Sequence, residues 1–317
     1  MRMRDSSRRA IHTGALLSVV GLTLAVATFV SRKFFEEAPT REAPPRAPPR
    51  AALGRSNAGA LFRVAALEGP VEFFHGDKWY VAQAGDLLAL EDVIRTPRGS
   101  TALLRRGSTE VEVREDVDIR LDALANRTAS FGVLRGGNVV ANVDDREEAL
   151  EITAGHARAV NRGPARWIVA LGPSGQVSVL AARGNVGFSA AGKEVLVPAG
   201  NESTAAPGQA PDDPEPLPEQ LLLSVIWPEL DRPNGTTPAA PVSGTVRPSS
   251  RVKINGVEAT VRPDGRFAVQ VPVAVGANKV DIEARDIAGR KKTVTKVLQR
   301  TPPAPTLETS DEDIWKR

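Results

Sequence analysis

The sequence predicts an all-β exported part, a β-sandwich or roll followed by a smaller β-sandwich, carried behind one N-terminal transmembrane helix. Three observations predict it. Between residues 58 and 300 no long segment shows an apolar period of 3.6; short alternating runs recur instead between turns rich in Gly, Asn, Asp and Ser. Residues 11–30 form a nearly uncharged apolar run close to the N-terminus. Proline-rich breaks at 38–52, 203–220 and 301–317 then divide the rest of the 317-residue chain into two blocks of domain size.

The N-terminal run reads IHTGALLSVVGLTLAVATFV and carries no acid or base except His12. As a helix it is about 30 Å long, one hydrocarbon thickness. Arg2, Arg4, Arg8 and Arg9 precede it, and Arg32-Lys33 follow. The positive-inside rule places residues 1–10 in the cytoplasm and the bulk of the chain outside. The expected location is therefore the inner (cytoplasmic) membrane, single-pass, with the C-terminal bulk in the periplasm. A cleaved signal peptide is the competing reading, since Ala25-Val26-Ala27 has small-x-small spacing. The apolar run continues through Thr28-Phe29-Val30, which favours an uncleaved signal anchor. Both readings export the residues from about 38 onward.

Residues 31–57 read as a linker. Its core, APTREAPPRAPPRAA, has prolines that fix φ and charges that build no core. As polyproline II it is a spacer of about 45 Å; as a plain tether it has no length requirement. Overall net charge is +3, but the first 55 residues hold ten Lys or Arg and four acids, which leaves the remainder at −3. The basic excess thus belongs to the N-terminal segment, and nucleic acid is excluded as the main partner because the folded part has no basic surplus. The absence of cysteine excludes disulfides, thiolate zinc sites, iron–sulfur clusters and a cysteine nucleophile.

The block 58–202 contains clean alternations at Thr109-Glu110-Val111-Glu112-Val113 and Val117-Asp118-Ile119-Arg120-Leu121. Arg166-Trp167-Ile168-Val169-Ala170 reads as a more buried strand, and Val177-Ser178-Val179-Leu180 as another. The turns include His75-Gly76-Asp77, Gly107-Ser108 and Gly172-Pro173-Ser174-Gly175. Residues 203–220 read as a second linker. In the block 221–300, Asn255-Gly256 sits between two alternating runs, a strong signal for a type I′ hairpin. Pro263-Asp264-Gly265 turns into Arg266-Phe267-Ala268-Val269-Gln270-Val271. About seven strands in 80 residues points to a small immunoglobulin-like sandwich. Residues 301–317 read as an acidic disordered tail.

Residues 67–105 carry a Gly-x-Val strand, a Trp, a Gly-x-Leu step, an Asp-x-Ile-x-Thr step and a small-residue turn into an apolar strand. The positions are Gly69, Val71, Trp79, Gly85, Leu87, Asp92, Ile94, Thr96, Ser100 and Ala102. With Leu134, Gly137, Val139, Gly184, Val186, Val195, Val197 and Gly200 further on, this block resembles the FecR domain over most of 60–205. Residues 243–299 carry Val252 to Gly256, Asp264-Gly265-Arg266-Phe267, Gly276 to Val280 and Ala284 to Gly289, and resemble bacterial immunoglobulin-like modules. The resemblance implies a FecR-like β-sandwich or roll plus an accessory or adhesive module, with no catalytic signature. Iron-transport regulators of the FecR type place a cytoplasmic anti-sigma segment before the span, where this sequence has about ten residues.

The chemistry candidates read mostly as structure. Gly187 to Glu194 nearly spells a P-loop, but Glu194 stands where Ser or Thr must bind Mg²⁺, and two short strands flank it, which makes it a hairpin. His12, His75 and His156 lie in no metal spacing, and no metal or other cofactor is expected. Asp144, Asp145, Glu147 and Glu148 read as a solvated loop. Asp281, Glu283 and Asp286 are weighed as a calcium site and read as solvated, because alternation puts the first two on an exposed face. Trp79, Tyr80, Phe73 and Phe74 cluster at the first hairpin. Buried, they form core; exposed, Trp79 and Tyr80 are the candidate interaction residues, able to stack on sugar rings.

The expected function is that of a membrane-anchored, non-catalytic envelope protein acting in protein interaction or signal relay. Its partners are the inner membrane, through residues 11–30, and another envelope protein. The alternative is a cell-wall or surface glycan anchor.

Overall fold

The computed structural model describes residues 61–228 and 239–301, all of which fall within one compact unit. The expected cytoplasmic N-terminus, the span at 11–30, the linker 31–57 and residues 302–317 of the expected tail lie outside the described residues. Among the described residues no helix is long and apolar enough to cross a membrane. The architecture is all-β.

The first block is two sheets closed over one core. One sheet has eight strands in the order Arg63–Glu68, Thr101–Arg106, Thr109–Val113, Gly137–Val143, Ala165–Leu171, Val177–Arg183, Asn201–Ala205 and Glu215–Pro216. The other has nine and runs from the edge strand Lys193–Val197 to the edge hairpin Glu72–His75 and Lys78–Val81. The alternating runs divide as period 2 requires: Val111 and Val113 are fully buried while Glu110 and Glu112 point outward. Thr128–Arg135 and Ala149–Ala154 pair in parallel, and the chain between them crosses to the opposite sheet as Gly137–Val143. Phe62 and Phe131 meet edge to face in the core at 4.9 Å between ring centroids.

The strand Ala165–Leu171 is buried on both faces, and its near-continuous apolar run has a tertiary cause. Trp167 and Val169 face the first block's core, whereas Ile168 and Ala170 lie under Ile287 of the second block.

The second block packs a three-stranded sheet (Leu223–Ile226, Ala239–Val246, Arg266–Pro272) against a four-stranded one (Val257–Ala259, Arg251–Ile254, Gly276–Arg285, Lys291–Arg300). This is the immunoglobulin-like sandwich expected. Its core includes Val242, Val252, Val261, Phe267 and Ile282. Asn255 and Gly256 both adopt positive φ, 49° and 80°, as a type I′ turn demands. The ten-residue edge strand Lys291–Arg300 carries Lys291, Lys292 and Lys296, charges that discourage pairing with a further strand.

The segment 203–220 departs from a free linker. Strand Asn201–Ala205 runs across the expected boundary at 202, and Glu215–Pro216 adds a further strand at the sheet edge. Asp212 N–H donates to Thr204 O at 2.9 Å, and Leu217 N–H to Gly200 O at 3.0 Å. Its prolines and acids suggested solvation; a sheet edge accepts such residues because one side of it faces water.

The two blocks are joined by a dry contact and a polar ring. Ile287 is 0% exposed, seated among Val140, Ile168, Ala170 and Leu180, with Leu217 and Ala288 alongside. Around it, Gln176 Nε2 donates to Pro248 O at 3.0 Å, Ser174 Oγ to Val261 O at 3.1 Å and Asn138 Nδ2 to Ile287 O at 3.4 Å. Three ion pairs cross the junction: Arg251–Asp116 and Arg285–Glu115, each at 3.3 Å, and Arg247–Glu202 at 3.1 Å.

Candidate functional site

The edge hairpin of the nine-stranded sheet presents Trp79 and Tyr80. Alternation sends them to opposite faces. Phe73, fully in the core, faces its register partner Tyr80, and Phe74 faces Trp79 on the outside. Both Trp79 and Tyr80 are half-buried. Of the four aromatics, the core reading holds fully for Phe73. Trp79 stands on the outer face, tilted against Phe74 at 5.1 Å, and the Arg95 guanidinium lies 3.8 Å over its ring. Arg95 is held in turn by Glu72 at 3.3 Å and Asp118 at 3.1 Å, and Asp118 also pairs with Arg135. One face of the indole is thus already occupied by a cation held in an ionic ladder.

A cavity of about 730 Å³ lies between the blocks. Glu202, Asp212, Asp213 and Glu215 line one side, and Leu221 to Ser224, Arg247 and Lys292 the other. Arg247 bridges Glu202 at 3.1 Å and the exposed Glu215 at 3.7 Å. Glu202 is 3% exposed, and burial holds its carboxyl above the usual range, an effect that Arg247 partly offsets. Neither residue of this pair stands out in the sequence. Glu202 sits inside the sequon-like Asn201-Glu202-Ser203, and only the packing of one block on the other brings Arg247 to it.

The remaining candidates stand as follows. Ala191 and Gly192 have φ of 47° and 78° and turn Val186–Ala190 into Lys193–Val197, so the P-loop look-alike is a two-residue hairpin. Glu194 of that segment pairs with Arg162. His75 ends a strand with its Nδ1 2.5 Å from Asp92, and His156 lies in an exposed turn. Asp144, Glu147 and Glu148 are each paired with an arginine, Arg183, Arg127 and Arg106 respectively. Asp281 accepts from the Thr295 hydroxyl and, next, from Lys279, which together hold its carboxyl below the usual range. Glu283 pairs with Lys291. Asp286 is buried, not solvated: its carboxylate accepts from Arg290 Nε at 2.6 Å and from the Arg290 N–H. Among the described residues no group of three His, Asp or Glu converges as a metal site.

Comparison with known proteins locates one family match. Residues 223–300 match the family described as glucodextranase, domain B, which coincides with the immunoglobulin-like block. No curated protein matches the chain. Among solved structures, two crystal structures of a candidate anti-sigma factor from Parabacteroides distasonis are 13% and 12% identical, each with a TM-score of 0.33. Each alignment covers 38% of this chain and 59% of the other, so the chain spans well under two thirds of their length. A polysaccharide lyase is 11% identical with a TM-score of 0.19, over 74% of this chain and 40% of the lyase.

Proposed function

We propose that the chain is a membrane-anchored envelope protein whose two β blocks form a non-catalytic interaction arm in the periplasm, and that the first block is a FecR-like domain. The observation that supports this is the junction around Ile287. A fully buried aliphatic knob, three backbone-directed hydrogen bonds and three ion pairs make the blocks one stiff body. A stiff arm delivers a binding surface at a set distance and angle from its anchor, which suits relay between envelope proteins. Residues 67–105, with their Gly, Trp, Asp and Thr steps, support the FecR reading. The test is photo-crosslinking in intact envelopes from probes placed at outward-facing Trp79 and at exposed Ile226. Specific adducts to an envelope protein are expected; a C-terminal reporter found in the cytoplasm overturns the arm.

The second reading is a cell-wall or surface glycan anchor, favoured by the match of residues 223–300 to a domain of a glucodextranase. Co-sedimentation of the chain with purified sacculi tests it: pelleting supports the anchor, and a chain that stays in solution leaves the protein-partner reading.

A further inference from the structure

The second surface at the junction differs in chemistry from the acidic cavity. On this side the turn carrying Arg98, between Val93–Thr96 and Thr101–Arg106, meets the Asn255-Gly256 hairpin, and Arg98 Nη2 lies 3.4 Å from Gly256 O. Two adjoining depressions of about 390 and 520 Å³ share Arg98, Lys253 and Gly256 in their walls, so they run together as one open groove along the seam.

Its carboxylates are already committed to other cations. Glu258 and Asp116 pair with Arg251, Glu115 and Glu283 with Arg285, and Asp281 with Lys279. Arg98 and Lys253, one from each block, form no ion pair among the described residues and face the groove. Seven cations and five carboxylates line the two depressions, a local surplus of positive charge. Glu115 lies below the usual carboxylate range: burial works against this, but the Gly99 N–H and the charges of Lys253, Arg285 and Arg251 outweigh it. Glu258 is lowered chiefly by its Arg251 hydrogen bond, with Lys253 and Arg98 adding to it.

We infer that this seam is a binding groove for an anionic polysaccharide, whose acid groups are met by Arg98 and Lys253 together. The lining selects the class. Toward the second block the wall is polar, with Lys279, Lys291, Thr293 and Thr295 beside the paired Asp281 and Glu283; Leu171 and Pro173 on the first block's side are the apolar lining, too little to seat a lipid tail or a row of apolar side chains. A hydrated, repeating sugar acid asks only for spaced cations and hydroxyls in an open trough. Because both blocks supply a cation, the polymer also braces the junction. The inference relies on the exported-arm reading only for where such a polymer is met, and binding by the purified chain tests the groove alone.

The experiment is binding of polygalacturonate, with neutral dextran and poly-glutamate as comparison probes, to the purified full-length chain in detergent. The variants are R98A/K253A and, as a control on the exposed Arg166, which lines neither depression, R166A. Polygalacturonate is expected to bind, dextran not to bind, R98A/K253A to weaken binding on the order of tenfold and flatten its salt dependence, and R166A to match the parent. Matching melting curves establish that the variants fold. Unchanged affinity in R98A/K253A overturns the inference. No binding by the parent overturns it as well, and equal binding of poly-glutamate overturns the polysaccharide class. None of these outcomes bears on the crosslinking test, so the groove and the arm stand or fall separately.

Discussion

Replacing Arg247 with Met removes the cation that compensates Glu202 and keeps most of the side-chain volume. Glu202 is 97% shielded from solvent, and its guanidinium partner sits at 3.1 Å. Breaking a buried pair from one side leaves an uncompensated charge, which costs about 3–5 kcal/mol. The cavity beside Glu202 admits water on one side, so the low end, about 3 kcal/mol, is expected at pH 7.5. In a body of this size that is roughly a 10 °C fall in melting temperature. The second contact of Arg247, to Glu215, contributes little, because Glu215 is mostly exposed. Glu215→Ala should therefore stay within about 0.5 kcal/mol of the parent. The pH dependence supplies the sharper test. The Glu202 carboxyl is already raised in the folded state, so the folded chain binds this proton more tightly than the unfolded one. Its favourable contribution is present at low pH and is lost as pH rises through the folded value. Removing Arg247 raises that value further. The gap between parent and variant should accordingly be small near pH 4.5 and full by pH 7.5, with Glu202→Gln in the variant background restoring most of the loss. Denaturant titrations of the full-length chain at several pH values measure it. A gap independent of pH would show that Arg247 acts through packing and not through the charge on Glu202.

Three further outcomes follow from the packing. Ile287→Ala empties the knob between the blocks and should cost about 3 kcal/mol, with the single unfolding transition splitting in two; a single, unshifted transition would refute the stiff junction. Arg95→Ala uncovers the indole of Trp79 at a cost of about 1 kcal/mol, and acrylamide quenching, read against a Trp79→Phe blank, should rise. Gly265→Ala places a Cβ 2.1 Å from Val246 O at a φ of +78°, so the second block should lose roughly 2 kcal/mol or more in denaturant titration, whereas Gly256→Ala, with nothing within 4 Å of its Cβ, should lose only about 1.

Much of the fold was legible because strand periodicity and turn chemistry are local. Val111 and Val113 had to share a face, and Asn255-Gly256 had to turn, whatever lay elsewhere in the chain. The candidate sites were less legible. Trp79 and Tyr80 were found by their chemistry, but which of them faces outward depends on the sheet's register against Glu72–His75. That Arg95 already covers the indole depends on a residue 16 positions away on another strand.

Alternation, glycine and proline positions, and the clustering of basic residues before residue 56 are properties of neighbouring residues, and the sequence by itself determined an all-β body with two blocks from them. It also showed that the near P-loop is a hairpin, since a following helix was missing from the pattern. What only the tertiary structure decided is how the blocks meet. Ile168 and Ala170 read as part of a buried strand, and Ile287 as one position of a module step; their burial against each other, the Glu202–Arg247 pair and the meeting of Arg98 and Lys253 at one groove bring together residues 45 to 155 positions apart. No local pattern encodes such contacts, because their energy comes from excluding water between surfaces that the chain brings together only once both blocks have folded.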